Sequence, residues 1–386
     1  MQENTGKDPE ATFYQAAIIG GGLAGLSLSI LLSKSGYSVA VFEKEKYPFH
    51  KVCGEYISLE SWGFIEALGL KLENFHLPLI KKLCVSSPGG NKLETDLDLG
   101  GFGISRYLLD DELSKLAIQC GVKIYEQTKI TGLHFGNDQF TVSASGIKIK
   151  SAVTIGCFGK RSNLDVKWMR PFVKKKAGKL NNYIGVKYHI RIHSPVDTIS
   201  LHNFKNGYCG ISAIEDGKHC LCYLTTAHNL SSNNNSIPDM EKNVLRKNPF
   251  LEKIFSEADF LYKSPETISQ ISFTKKSQVE NHVLMAGDAA GMITPLCGNG
   301  MSMGLQAAKI AHGCIDDFLQ QKTNRPGMER NYTQSWNRQF KKRLYYGRLI
   351  QSFFGKEWIT NKFIAGLKYF PGLSAVLIRS THGKPF

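Results

Sequence analysis

Apolar and glycine-rich segments alternate near the start of the chain and predict a strand, a turn, a helix and a second strand. An uninterrupted apolar run from Phe13 to Ile19 predicts a buried strand, and the stretch from Leu23 to Leu32 predicts an apolar helix. The segment from Ser38 to Phe42 predicts a second strand, which Glu43 follows directly. This order is typical of the first βαβ unit of a doubly wound α/β sheet.

The first of these segments lies within a long stretch without charge, from Ala11 to Ser33. Its composition therefore also fits a transmembrane helix or a signal peptide. Three consecutive glycines at 20–22 and a leader that contains acidic residues argue against both. We expect this segment to be part of a folded core.

The middle of the chain has apolar positions with a period of two. Between residues 183 and 224 apolar and polar side chains alternate, and turns are predicted at residues 206–207 and 216–217. The pattern predicts a meander of antiparallel strands, rich in tyrosine and cysteine, which we expect to cover a ligand pocket. It also contains three histidines without metal-ligand spacing, which we expect to be structural: His189, His202 and His219.

Shorter apolar segments predict further strands around a central helix. The helix is expected from Tyr107 to Cys120, after a glycine-rich approach at residues 100–106 and before a terminating Gly121. Ser58 is the predicted N-cap of a short helix that ends at Leu68. The remaining strands are predicted at residues 82–86, 92–97, 123–125, 130–135, 140–144, 147–149 and 152–155.

A second strand–turn–helix pattern lies towards the other end of the chain. Residues 282–291 predict a buried strand that ends in Gly-Asp, and a long apolar helix is predicted from Met301 to Leu319. The tail, residues 331–386, is helical, basic and aromatic. We expect it either to pack over the sheet or to face a membrane as an amphipathic helix.

The first turn has the spacing G-x-G-x-x-G, which suits the pyrophosphate of a dinucleotide. Gly20 permits the tight turn, Gly22 lets the phosphates approach the backbone, and Gly25 lets the helix pack closely on the strand. Glu43 lies roughly 20 residues further on, where a carboxylate binds ribose hydroxyls. The predicted cofactor-binding residues of this unit are Gly20, Gly22, Leu23, Ala24, Gly25, Glu43 and Lys44.

Charge and cysteine content narrow the class of protein. The 386 residues include 48 Lys and Arg against 33 Asp and Glu, and the net charge of +15 is compatible with nucleic acid, an anionic membrane or a phosphorylated ligand. Two basic stretches, 167–179 and 330–356, are either solvated faces or binding surfaces, and no nucleic-acid-binding signature accompanies them. The nine cysteines lack zinc spacing, so we predict reduced thiols, a cytoplasmic protein and no bound metal.

The loop after the second strand contains Cys53 and Glu55. A loop in this position of a doubly wound sheet runs close to the bound cofactor. Cys53 therefore lies near the reactive end of the cofactor or packs as a small apolar residue. Arg106 is placed to reach a phosphate or a flavin oxygen, and Asp110 falls in the first turn of a helix, where it can complement the helix dipole.

Together these motifs resemble the flavoprotein class of the para-hydroxybenzoate hydroxylase fold, which includes aromatic hydroxylases, flavin-dependent halogenases and geranylgeranyl reductases. The glycine turn with Glu43 is similar to the ADP-binding motif of this class. The segment Arg106-x-x-Leu109-Asp110 is similar to the segment that lies beside FAD. The second Gly-Asp turn is similar to the motif that holds the ribityl chain and the flavin pyrimidine. The resemblance implies FAD as cofactor and adds the predicted binding residues Arg106, Gly287, Asp288, Pro295, Gly298, Asn299 and Gly300.

Within this class, residues 51–55 resemble the Cys-Gly-acid turn of the geranylgeranyl reductase family, in which the cysteine lies near the flavin. The predicted catalytic residues are therefore Cys53, as a proton donor, and Glu55 as a weaker candidate. The chain departs from the class at Phe158-Gly159, where Asp-Gly is usual, and this puts a carboxylate role there in doubt. The aromatic patterns of archaeal reductases (Y-x-W-x-F-P) and tryptophan halogenases (W-x-W-x-I-P) are absent.

The resemblance implies an α/β protein with a Rossmann-like FAD-binding domain, an inserted antiparallel β-sheet substrate domain and a helical C-terminal segment. The FAD-binding domain is expected at residues 10–80, 100–165 and 265–330. The substrate domain is expected at 81–99 and 166–264, and the helical segment at 331–386. We expect an FAD-dependent oxidoreductase that takes electrons from NAD(P)H and reduces carbon–carbon double bonds of an apolar, prenyl- or lipid-like substrate. The alternatives are a monooxygenase of an aromatic or polyketide-like substrate and a non-catalytic FAD-binding protein. The basic tail also predicts peripheral contact with the inner face of the membrane.

Overall fold

In the computed structural model, which describes residues 11–174, 181–294, 298–353, 360–361, 366 and 383–386, the strands form two sheets. The strands are β1 (Phe13–Ile19), β2 (Val39–Phe42), β3 (Tyr56–Ser58), β4 (Leu79–Ser86), β5 (Lys92–Gly103), β6 (Lys123–Tyr125), β7 (Ile130–Gly136), β8 (Gln139–Ala144), β9 (Ile147–Gly156), β10 (Asn181–Arg191), β11 (Thr198–Phe204), β12 (Gly207–Ala213), β13 (His219–Thr226), β14 (Asp259–Phe260), β15 (Glu266–Ser272), β16 (Val279–Glu280) and β17 (Val283–Met285). The α-helices are α1 (Leu23–Lys34), α2 (Trp62–Leu68), α3 (Arg106–Gln119), α4 (Asn163–Lys167), α5 (Pro171–Lys174), α6 (Ala227–Ser231), α7 (Ile237–Asn243), α8 (Pro249–Glu257), α9 (Gly300–Leu319) and α10 (Arg325–Phe353).

The first sheet has a parallel centre in the order β17-β9-β1-β2-β6, and antiparallel strands extend it at β16 and at β8 with β7. β2 is buried along its whole length, as expected for a parallel strand with both faces covered. α1 packs against α3 and α9, and α10 packs against α9. Since α1 is covered on most sides, its residues are mostly apolar, and even Ser27 and Ser29 are buried.

The second sheet runs in the order β14-β10-β13-β12-β11-β4-β5-β3, with β15 paired to β10. Its pairs are antiparallel except β4 with β11. One face carries Val186 and Tyr223 and packs against Met240 of α7 and Leu251 of α8. The opposite face carries Tyr208 and Leu224, which form a second apolar cluster with Phe273.

The predicted secondary structure is correct in most elements, but the strand predicted at residues 92–97 ends too early. The glycine-rich residues 100–103, expected to lead into the central helix, are the end of strand β5. A Cβ atom at Gly101 would lie 2.3 Å from the ring of Tyr56, and one at Gly103 would lie 1.8 Å from the carbonyl of Ala213. The glycines are there because neighbouring groups approach the strand closely. The two strands predicted between residues 147 and 155 are one strand, β9.

The first half of α10 belongs to the core, as the packing alternative for the tail predicts. Tyr332, Trp336 and Phe340 are buried in the main apolar cluster. Further along the helix, Tyr345 and Tyr346 are 60% and 40% exposed. Among the helices that the structure describes, none has the length and apolar character needed to cross a membrane. Most of the tail beyond α10 lies outside the described residues.

Candidate active site

Four parallel strands end at the same edge of the first sheet. Gly20 follows β1, Glu43 follows β2, Cys157 follows β9, and Gly287 comes shortly after β17. The chain leaves β1 towards β2 on one side and leaves β9 towards β17 on the other, so the strand order reverses between β1 and β9. In open α/β sheets, ligands bind in the crevice at such a switch point.

The turn after β1 has the geometry of a pyrophosphate cradle. Gly20 has φ +105°, and a Cβ atom there would lie 2.4 Å from the carbonyl oxygen of Cys157. At Gly25 a Cβ would lie 2.1 Å from the Gly20 carbonyl oxygen, so α1 rests directly on the turn. Within the described residues no side chain caps the first turn of α1, so its N–H groups face the crevice.

Two cations point into the space in front of this turn. The nearest described groups to a Cβ placed on Gly22 are Arg106 Nη2 and Lys51 Nζ, each at 3.5 Å. Free N–H groups, a helix N-terminus and two cations make up the donor set that a diphosphate requires. The cradle therefore fits the pyrophosphate of FAD.

Asp110 orients both cations. Its carboxylate accepts from Arg106 Nε at 2.8 Å and Nη2 at 2.7 Å, and from Lys51 Nζ at 2.9 Å. Burial alone would raise the pKa of Asp110, but the charges of Arg106 and Lys51 hold it below its usual value. Asp110 thus does more than complement the helix dipole: it fixes the direction of the two side chains.

The acidic residue after β2 is held by backbone donors. Glu43 is buried, and its carboxylate accepts from the N–H of Gly21 at 2.9 Å and of Glu45 at 3.1 Å. These bonds fix the carboxylate beside the glycine turn, where it can bind a ribose. Lys44, also predicted as a cofactor residue, does not join this group, because it is exposed and pairs with Glu45 at 3.2 Å.

The turn after β17 lies directly against the first glycine turn. Gly287 has φ +61°, and a Cβ atom there would lie 3.3 Å from Ala24 in the first turn of α1. Burial raises the pKa of Asp288, and the charges of Lys276, Arg106 and Lys160 oppose this rise. The positive charge of Arg106 therefore acts on Asp288 as well as on the pyrophosphate cradle.

The start of α9 completes this side of the site. Asn299 is buried immediately before the helix, whose first residue is Gly300. A Cβ at Gly298 would lie 3.0 Å from the ring of Tyr56, so this turn contacts the segment that follows Cys53 and Glu55. Pro295 lies outside the described residues.

The Cys53 loop joins the cradle to the second sheet. Lys51 points to the cradle, while side chains of the sheet donate to the loop carbonyls on the other side. Lys187 Nζ donates to the Lys51 carbonyl at 3.2 Å, Cys220 Sγ to that of Cys53 at 3.2 Å, and Ser212 Oγ to that of Gly54 at 3.1 Å. The loop is therefore fixed between the cofactor crevice and the sheet.

Open space borders the tip of this loop. Gly54 is exposed although Glu55 beside it is fully buried, and no described atom lies within 4 Å of a Cβ position on Gly54. Gly210 and Cys222, which pair across β12 and β13, are half-buried among buried neighbours. Cys53 is half-buried too, and burial, opposed by the charge of Arg106, raises the pKa of its thiol.

Glu55 belongs to a buried ion-pair network. Its Oε1 accepts from Lys187 Nζ at 2.5 Å and from the N–H of Arg106 at 2.8 Å, and its Oε2 lies 2.6 Å from His189 Nε2. Burial would raise the pKa of Glu55, but Lys187 and His189 lower it, so the group is a carboxylate. Donor atoms of Glu55, His189 and Cys220 lie within 4.8 Å of one another, but the ammonium of Lys187 already supplies a cation there. We therefore assign an ion-pair network and not a metal site.

The sequence analysis missed four lysines of this site. Lys51 and Lys187 contact the loop and its carboxylate, and Lys160 and Lys276 surround Asp288. The sequence contained one signal for Lys187, which is a charged residue within a strand that alternation predicts. Lys187 is buried in that strand, and a buried charge needs a partner. His189, expected to be structural, shares this partner.

The cradle, the Gly-Asp turn and the start of α9 define a flavoprotein of the FAD-dependent oxidoreductase class. Residues 14–312 match the family described as "FAD binding domain", and the chain belongs to this family. FAD is its cofactor, as the resemblance predicted, and NAD(P)H is the usual electron donor of such enzymes.

Characterised relatives cover most of the chain at low identity. The chain is 22% identical to conditioned medium factor receptor 1 of Dictyostelium discoideum, over 86% of this chain and 69% of the relative. It is 24% identical to the digeranylgeranylglycerophospholipid reductase of Methanococcus vannielii, over 77% and 75%. The structure of the flavin-dependent brominase Bmp2 is similar with a TM-score of 0.78 and 19% identity, over 96% of this chain and 93% of the brominase. This likeness confirms the predicted fold class.

Proposed function

We propose that this protein reduces carbon–carbon double bonds of an apolar, prenyl- or lipid-like substrate, with electrons that pass from NAD(P)H through FAD. The observation that carries the proposal is the position of Cys53. Its loop lies between the pyrophosphate cradle and an apolar sheet face, at the edge of open space. The relationship to a reductase of geranylgeranyl lipids supports the same chemistry.

The apolar sheet face supports the choice of substrate class. Tyr208, Leu224 and Leu201 lie on the same face of the second sheet as Gly210 and Cys222. The Cys53 loop packs on this face at Cys220, beside Lys187 and His189, and the tyrosine and leucine side chains lie further along the sheet. A substrate that extended from Cys53 past Gly210 and Cys222 towards this apolar part would bury isoprenoid or aromatic groups there.

The residues of the cradle would hold and polarise the cofactor. The glycine turn, Arg106 and Lys51 would bind the pyrophosphate, Glu43 the adenosine ribose and Asp288 the ribityl chain. The N-terminus of α9 would stabilise negative charge on the flavin pyrimidine. Bound FAD supplies hydride transfer, which the protein side chains cannot perform.

Cys53 would supply the proton that the second carbon requires. Because burial raises the pKa of its thiol, Cys53 is protonated at neutral pH and is a proton donor and not a nucleophile. One hydride and one proton added across a double bond, together with oxidation of NAD(P)H to NAD(P)⁺, balance the reaction. Glu55, already ionised by Lys187 and His189, would not be the proton donor to the substrate.

The test is the reoxidation of the reduced holoenzyme, followed by its visible spectrum. Without oxygen, addition of a geranylgeranylated glycerophospholipid should return the spectrum to that of oxidised flavin. Rapid mixing with oxygenated buffer should reoxidise the enzyme with no intermediate spectrum. A transient species with oxygen, together with no reoxidation by the lipid, would favour the monooxygenase and overturn this proposal.

A further inference from the structure

The network around Glu55 extends from the Cys53 loop to a partly exposed edge of the second sheet. At its inner end are Lys187 and the loop carbonyls. At its outer end the rings of His50 and Tyr262 pack on His189, with centroids 5.3 and 5.2 Å away. The Tyr262 hydroxyl and His50 Nδ1 are hydrogen-bonded at 3.0 Å. Both outer rings are half-buried, so solvent reaches this end.

We propose that Lys187, Glu55 and His189 form a proton-transfer path that restores the Cys53 thiol after each catalytic cycle. The inference rests on the proposed function, because a proton is consumed at Cys53 only if the reaction reduces a double bond. It assigns a role to two buried polar side chains, Lys187 and His189, that FAD binding does not explain.

The path is continuous at its buried part. Lys187 Nζ and His189 Nε2 contact opposite oxygens of the same carboxylate, at 2.5 and 2.6 Å. Because Glu55 is ionised, it can take a proton from His189 on Oε2 and, after rotation of the carboxyl group, give that same proton to Lys187. The network also reaches the Cys53 loop, because Lys187 Nζ donates to the Lys51 carbonyl at 3.2 Å and Cys220 Sγ donates to the Cys53 carbonyl at 3.2 Å. The sulfur of Cys220 lies within 4.8 Å of the Glu55 and His189 atoms.

The proton balance of the step is complete. When the S–H bond of Cys53 breaks and a C–H bond forms on the substrate, a thiolate is left beside the ammonium of Lys187. Lys187 gives a proton to the sulfur, Glu55 transfers one from His189 to the amine, and His189 regains one from water at the edge lined by His50 and Tyr262. No oxidant or reductant enters this sequence.

Stability alone does not account for the network. A buried ion pair recovers its desolvation cost only in part, and well-packed apolar residues of similar volume are often as stable. Here the charged groups lie on the face that borders the open space, and the opposite face of the same strand is apolar at Val186, Tyr188 and Ile190. The charges are therefore confined to the side from which a proton is needed.

The charged and titratable groups around the network bear on any measurement of its pH dependence. The loop contributes His50, Cys53 and Glu55, the sheet contributes Lys187, His189, Cys220 and Cys222, and the groups that act from neighbouring elements are Arg106, Tyr262, Lys218, Glu215 and Glu266. Burial, then the charges of Lys187 and His189, lowers the pKa of His50 to about 4. His50 is therefore neutral at pH 7.

The experiment compares Lys187→Met, Lys187→Arg and His189→Gln holoenzymes, with His219→Gln as the matched control. His219 lies on β13 beside Cys220, outside the network. The first readout needs no lipid substrate: the rate at which iodoacetamide alkylates Cys53, measured against pH by peptide mass spectrometry. Lys187→Met should move the alkylation midpoint to higher pH by about one unit or more, and Lys187→Arg and His219→Gln should not.

The second readout is reduction of the geranylgeranylated lipid. In both Lys187 variants kcat should fall about tenfold or more with KM little changed, because Arg keeps the charge but does not release a proton. His189→Gln should remove one ionisation from the pH profile of kcat, and flavin reduction by NADPH should be unchanged in every variant.

Wild-type turnover in Lys187→Arg, or an unaltered pH profile of kcat in His189→Gln, would overturn the path. If the wild-type protein reduces no lipid, the proposed function fails, and the alkylation readout still decides whether Lys187 and Cys53 are coupled.

Discussion

Removal of the Arg106 guanidinium is the perturbation that most sharply tests the pyrophosphate cradle. In Arg106→Met the side chain keeps an unbranched apolar stem but loses the two bonds to Asp110, at 2.8 and 2.7 Å, and the charge that faces Gly22. A hydrogen bond to a charged group contributes about 1.5–3 kcal/mol. If Arg106 makes one such bond to the cofactor, the Kd for FAD should rise by about 10- to 150-fold.

The assay is titration of the apoprotein with FAD, followed by flavin fluorescence, at low and high salt. Lys115→Met is the matched control, since Lys115 is on the same helix but pairs at the surface with Asp111 and Glu112. Circular dichroism of each apoprotein reports the fold. We expect Arg106→Met to stay folded, because Asp110 keeps Lys51 as a partner at 2.9 Å. A folded Arg106→Met protein whose FAD affinity and salt dependence equal those of the control would refute the cradle.

Three further predictions address the thiol, the buried carboxylate and the exposed helix face. Cys53→Ala should keep FAD and slow turnover by at least about tenfold, roughly 1.4 kcal/mol of barrier, whereas unchanged turnover would make Cys53 a packing residue. The pKa of Asp110 is held below its usual value of 3.8, so its stabilising effect is complete above about pH 5 and is lost as the pH falls through the lowered pKa. Urea unfolding should show this acid dependence in the wild type and a flatter one in Asp110→Asn. If α10 docks on anionic membranes, Tyr345→Ser/Tyr346→Ser should float less with anionic liposomes than the wild type, and equal flotation would count against docking.

The parts of the fold that repeat a local pattern were predictable. The glycine turn, β1, α1 and β2 follow from spacing alone, because the order strand, glycine turn, helix and strand is a local pattern of one βαβ unit. The antiparallel meander followed from its period of two. Residues 100–103 misled the prediction because glycine also occurs in strands where a ring or a carbonyl approaches closely.

The charged network was not predictable, because it depends on contacts between distant segments. Glu55 and Lys187 are 132 residues apart in the chain, and no local pattern fixes the register that brings them together. The pairing of Asp110 with Lys51 is a similar case, since one lies on a helix and the other on a loop. The tail shows the same limit: its aromatic residues divide into Trp336 and Phe340 in the core and Tyr345 at the surface.

The most direct test of the central claim is the mass of the product. The holoenzyme is incubated without oxygen with NADPH and a geranylgeranylated glycerophospholipid, and the lipid is analysed by mass spectrometry. The account predicts a gain of two hydrogens for each double bond reduced, with an equal amount of NADPH oxidised. Unchanged lipid without oxygen, together with a product that gains one oxygen atom when an aromatic substrate is supplied in air, would contradict it.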